Sequence, residues 1–156
     1  MGISCDPIGR VVSSRICATD DDWDAETSTI VLDPQTFSSD ALRGLDSFSH
    51  VEVVYHFDQV PPEKVQVGAR HPRNDTTLPL TGIFAQRGKN RPNRIGTTIA
   101  RVLAVEDLSV HVSGLDAIDG TPVLDLKPFM VEFGPRGEVR QPQWATDLMR
   151  DYWSTS

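Results

Sequence analysis

Cysteine is scarce in this chain, with Cys5 and Cys17 alone. They are too few for a structural zinc site, and two reduced thiols are expected in place of a disulfide. Histidine is equally dispersed. His50, His56, His71 and His111 show no HExxH pattern and no paired Cys/His spacing, so no metal site is expected. No apolar run approaches the roughly 20 residues of a membrane span, and the start "MGISCDPIGR" has neither a basic segment nor an apolar core. A signal peptide is therefore not expected, and a cytoplasmic address is. GxGxxG and GxxxxGK[ST] are missing too; "RGKN" at 87 to 90 has the Gly-Lys pair without the flanking glycine and hydroxyl of a phosphate loop.

A further absence is local. From Thr76 to Val105 there is no acidic residue, while Arg87, Lys89, Arg91, Arg94 and Arg101 fall inside that window. The net charge of the whole chain is -7, so the remainder is more acidic still. That remainder repels polyanions and the window attracts them.

What is present is a series of short β signals separated by turn residues. "IGRVVSSR" (8–15), "TIVLD" (29–33) and "HVEVVYHF" (50–57) come first, the third alternating Val51, Val53, Tyr55 and Phe57 with Glu52 and His56. "SSDALRGLDSF" can hold a short helix ending near Gly44. "TGIFAQ" follows a proline-rich connection and leads to "IGTTIARVLAVE" (95–106). One face of that last segment carries Gly96, Thr98, Ala100, Val102 and Ala104, small residues that imply close approach of a strand or ligand. "SVHVSG" and "TPVLDLKPF" complete the set, and "PQWATDLMRDYW" reads as a C-terminal helix with Trp144, Leu148 and Tyr152 along one stripe. About seven short strands with few helices, in a single domain over 1–156, point to an antiparallel barrel or sandwich.

Three loops concentrate polar residues unsuited to a core: "HPRND" (71–75), "QRGKNRPNRIG" (86–96) and "GLDAIDGTP" (114–122). Asp119-Gly120 and Pro122 give the last a tight, fixed shape. In the second, arginines with asparagine are types suited to phosphate and base-edge contacts. "DDDWD" (20–24) reads as a solvated acidic loop or, more boldly, as Trp23 and its carboxylates set over a cationic ligand.

Together, "RGLDSFSHVEVVY", "HPRND", "TGIFAQRGKNRPNRIG" and "VSGLDAIDGTPVLDLKPF" resemble the TsaA-like family, which includes the TrmO tRNA methyltransferases. The resemblance runs from about Ile8 to Phe129. It implies a β-barrel that binds S-adenosylmethionine, usually as a homodimer, and methyl transfer to the exocyclic amine of a modified adenine in tRNA. By motif match, Asp58, Gln59, Arg87, Thr97 and the loop Leu115, Asp116, Ala117, Ile118, Asp119 are expected at the cofactor, with Arg87 taking its carboxylate. Arg91, Asn93, Arg94 and Lys127 are expected toward the acceptor, and Asp125 shares their motif. Asp119 or Asp116 can accept the proton that the methylated amine must lose. The sequence departs from the family in the short acidic segment after the first strand, in Asp58 where a histidine is common, and in Arg94 where R-P-N-P-I-G has proline. A small-molecule acceptor, and a non-catalytic S-adenosylmethionine-binding module, stand as alternatives.

Overall fold

Residues 1–154 are described in the computed structural model. The strands are β1 (Gly9–Ser13), β2 (Thr27–Leu32), β3 (His50–His56), β4 (Ala69–Arg70), β5 (Thr81–Gly82), β6 (Ile95–Glu106), β7 (Ser109–Ser113) and β8 (Pro122–Pro128). Six of them close into an antiparallel barrel in the order β1-β2-β7-β6-β3-β8, with β1 pairing β8 to complete the circle. The remaining two, β4 and β5, form a small separate ribbon. Closure removes the exposed edges that an open sheet of these strands would leave.

Alternation decides which side chains fill the barrel. Val51, Val53 and Tyr55 of β3 point inward, as do Ile30 and Leu32 of β2, Val110 and Val112 of β7, and Val123 of β8. Each such aliphatic side chain contributes about 1.5–3 kcal/mol when fully buried. The long β6 serves two neighbours: Ile95 to Arg101 pair with β3, and Arg101 to Glu106 pair with β7. A register shift between Val102 and Ala104 bends the strand so that it can do both.

The small-residue face of β6 turns inward, with Gly96, Thr98 and Ala100 buried. What approaches it is aromatic. A Cβ at Gly96 would lie 2.6 Å from Cε2 of Tyr55 and 2.7 Å from Cζ of Phe57. Glycine there lets two rings, packed edge to face with centroids 5.4 Å apart, lie directly across the strand.

Three expected elements come out shorter. "TGIFAQ" pairs only at Thr81–Gly82 and then coils into a 3-10 turn at Ile83–Ala85. "SSDALRGLDSF" forms two 3-10 turns, Ser39–Leu42 and Leu45–Ser47, because Gly44 between them is left-handed at φ 91°. The C-terminal helix, α1, spans Gln143–Leu148 and then gives way to turns, so the stripe through Tyr152 is broken. Cys5 and Cys17 are free and exposed. Among the described residues no helix is long and apolar enough to cross a membrane.

Candidate functional site

At one end of the barrel, the chain leaving β3 (57–61), the loop between β7 and β8 and the acidic loop surround a cavity of about 300 Å³. Its apolar walls include Trp23, Tyr55, Phe57, Val60 and Ile118. The polar lining residues are Asp58, Gln59, Asp116 and Thr121 together with Lys64, Lys89 and Asn90. A cavity of this size with apolar walls and a few convergent polar groups suits a small organic ligand.

Asp116 is the polar centre of this end of the barrel. Its Oδ1 accepts a hydrogen bond from the Tyr55 hydroxyl at 2.9 Å and another from Thr98, while its Oδ2 accepts one from the Tyr152 hydroxyl. Tyr55 and Thr98 also touch each other, oxygen to oxygen, at 3.2 Å. Burial foremost, then the negative charge of Asp116, pushes both phenols well above the ordinary tyrosine range. They stay protonated and act as donors. The nearby Arg87 guanidinium pulls both in the opposite direction.

The remaining expected site residues are distributed as follows. Asp58, Gln59, Asp116, Ala117 and Ile118 line the cavity together. Arg87 donates to the Thr97 carbonyl at 2.8 Å, which places that pair beside the tyrosine-carboxylate cluster. Leu115 is fully buried, its side chain in the barrel core. Asp119 is exposed and its Oδ1 accepts the Ser13 backbone N–H at 3.0 Å, fastening the loop to β1. Arg91 and Arg94 donate to main-chain carbonyls, of Gln86 and Val60, each at 2.7 Å. Asn93 is left-handed at φ 62°, forming the turn between them. Lys127 pairs with Asp125 on β8 at 3.2 Å.

The acidic loop has its cations within the chain. Arg15 lies 3.5 Å above the centre of the Trp23 ring, and donates to the carbonyls of Thr19, Asp21 and Asp22. The cation over Trp23 is therefore an arginine of the protein itself. Arg73 of the "HPRND" loop pairs with Asp21 at 3.0 Å and lies 3.8 Å from Asp20; Arg101 pairs with Asp24 at 3.0 Å. Sequence reasoning missed Lys64, Thr98 and Tyr152 as site residues. For Thr98 the small-residue face of β6 was the available signal. For Tyr152 there was none, since a helical stripe concealed it.

Residues 19–134 match the model of the tRNA-methyltransferase O N-terminal domain. The chain is 37% identical over 102 residues to a human tRNA (adenine(37)-N6)-methyltransferase, covering 65% of this chain and 23% of that protein. It is 36% identical over 106 residues to RcsF, a candidate S-adenosylmethionine-dependent methyltransferase of Pseudomonas aeruginosa, covering 68% of this chain and 44% of the relative. The crystal structure of TrmO from Pseudomonas aeruginosa superimposes with a TM-score of 0.72 at 30% identity, over 90% of this chain and 61% of the other. The chain thus spans less than half the length of these two curated relatives. With the family model matching well over half of its residues, and the same barrel in a solved relative, the chain belongs to the tRNA-methyltransferase O N-terminal domain family.

Proposed function

We propose that this protein binds S-adenosylmethionine in the barrel-end cavity and methylates the exocyclic amine of an adenine in tRNA. The observation that carries this reading is the chemistry of the cavity. Apolar walls suit an adenine ring. Asp58 and Asp116 supply negative charge for a sulfonium, and Lys64 and Lys89 supply positive charge for a carboxylate. Arg87, beside the same cluster, is a third candidate for that carboxylate. The bound cofactor would supply an electrophilic methyl group.

The chain's own task is to align the acceptor and receive a proton. Asp116 has both oxygens occupied by hydroxyl donors. Asp58 is exposed at the cavity, its Oδ2 3.3 Å from the Gln59 amide nitrogen that donates to it, and it retains open acceptor capacity. We therefore assign Asp58 to the proton that the amine releases, and Asp116 to holding the cofactor. Asp119, through its bond to Ser13, keeps the 115–119 loop in place.

The family's tRNA-acting relatives support tRNA as acceptor. A cytoplasmic address and a homodimer belong to the same reading. The dimer is supported by an apolar stripe on the outer face of β6, where Ile95, Ile99 and Leu103 are exposed. One observation favours a second reading, binding without turnover: three hydroxyls already donate to Asp116, which leaves Asp58 as the cavity carboxylate with most of its acceptor capacity open.

Calorimetric titration with S-adenosylmethionine, followed by labelled-methyl transfer to tRNA that carries the modified adenine but lacks the methyl group, separates the readings. Binding with label recovered on adenine is the expected result. Binding without transfer to tRNA or to a small-molecule extract supports the second reading, and absence of binding overturns both.

A further inference from the structure

The family match ends at residue 134, yet the chain beyond it reaches the candidate site. After α1, the backbone turns and is clipped to the acidic loop: Asp22 N–H donates to the Asp151 carbonyl at 3.1 Å, and Trp23 N–H to that of Tyr152 at 2.9 Å. The loop is tied together by Arg15, whose side chain is only 13% exposed, through Trp23 and a set of carbonyls. The Tyr152 ring packs edge to face on Trp153, with centroids 4.9 Å apart. So held, its hydroxyl meets Oδ2 of Asp116, the oxygen that Tyr55 and Thr98 leave open.

We propose that Tyr152 is a positioning residue of the candidate site, delivered by the C-terminal segment, which fixes the Asp116 carboxyl in the orientation that receives the ligand. The assignment rests on the S-adenosylmethionine reading above. It also gives the acidic loop a task, since "DDDWD" is the cradle for the segment that carries Tyr152. A carboxyl group gripped from one side only can rotate about its Cβ–Cγ bond. Donors on both oxygens remove that freedom, and ordered ligand contacts depend on such support.

The test uses the full chain with Tyr152→Phe, Tyr152→Ala and Tyr55→Phe. Phenylalanine keeps the ring packing and removes only the hydroxyl, so a purely structural role predicts normal behaviour for Tyr152→Phe and a defect in Tyr152→Ala alone. A positioning role predicts that Tyr152→Phe binds S-adenosylmethionine about tenfold more weakly, the scale of one hydrogen bond to a charged group, with melting temperature near wild type. Burial of the Tyr152 hydroxyl against Asp116 has a readout independent of any ligand. Tyr55 and Tyr152 are the chain's two tyrosines, so Tyr55→Phe leaves Tyr152 as the sole phenol in an ultraviolet titration. Its ionisation is expected well above the ordinary value of about 10. An ordinary titration, or unaltered binding by Tyr152→Phe beside a binding wild type, overturns the assignment alone. A wild type that does not bind S-adenosylmethionine overturns the functional reading and this assignment with it.

Discussion

Gly96→Ala places one methyl group where the barrel has no room for it. The added Cβ would stand 2.6 Å from Cε2 and 2.8 Å from Cζ of Tyr55, and 2.7 Å from Cζ of Phe57, about 0.8 Å short of ordinary van der Waals contact at its worst. Both rings would have to retreat. Tyr55 is buried and its hydroxyl bonds to Asp116, with Thr98 alongside, so a retreat of that size breaks or lengthens contacts of 2.9 and 3.2 Å. Overpacking of this kind costs about 1–3 kcal/mol, which lowers Tm by on the order of 5 °C in a chain of this size. Cofactor affinity is expected to fall as well, because the same movement disturbs Asp116. Thermal melting and calorimetric titration measure the two effects. Gly88→Ala is the control, since a Cβ there meets nothing within 4 Å. Wild-type stability and binding in Gly96→Ala would refute the idea that ring contact at this strand crossing sets both.

The remaining predictions follow from the same contacts. Both tyrosines are raised in the folded state, so their stabilising contribution is intact below the unfolded value near 10 and is lost as pH rises through the folded one. Denaturant unfolding from pH 9 to 12 should show stability falling above pH 10, by about 1.4 kcal/mol per pH unit from the buried Tyr55 while it stays protonated, with a further part from Tyr152; Tyr55→Phe should reduce the slope to the Tyr152 part. Arg15→Ala removes the cation over Trp23 and the carbonyl ties, with an expected loss of about 2–3 kcal/mol by chemical denaturation, and Arg15→Lys should fail to restore it because a lysine cannot fork across several carbonyls. Arg94→Ala should lower stability by about 1–2 kcal/mol through its lost bond to Val60, read by chemical denaturation. Lys64→Ala and Lys89→Ala should leave stability near wild type and weaken S-adenosylmethionine binding, each by about tenfold in calorimetric titration.

Strand periodicity was the legible part of this fold. β3 and β6 were readable almost to the residue, because alternation over seven and twelve positions is a strong signal and both faces of each strand have distinct chemistry. β5 was not. Its pairing is cut short where Ile83 drops into the interior, and a buried residue in a 3-10 turn looks the same in sequence as one in a strand. The cavity residues of loop 115–119 and the end of β3 were legible only through family motifs, as no spacing rule links Asp58 to Asp116. Tyr152 lay beyond either kind of reasoning. Its role depends on backbone bonds to a loop some 130 residues earlier in the chain, and amphipathic periodicity assigned it to a helix that ends four residues too soon.

Charge was legible in amount and opaque in use. The cations between Thr76 and Val105 suggest an anion-binding surface, yet Arg87, Arg91 and Arg94 donate to carbonyls of Thr97, Gln86 and Val60. These arginines hold the loop in shape through main-chain acceptors, of which those of Gln86 and Val60 lie outside any strand. The same economy governs the acidic loop, whose aspartates face Arg73 and Arg101. Neighbouring cations offset part of its negative field, so it repels a nearby polyanion less than its composition implies. Among the described residues, Lys64 and Lys89 enter no ion pair, and both stand on the cavity. Positive charge on the cavity wall is therefore carried by two lysines, with Arg87 nearby, while the arginines hold the loop that leads into β6.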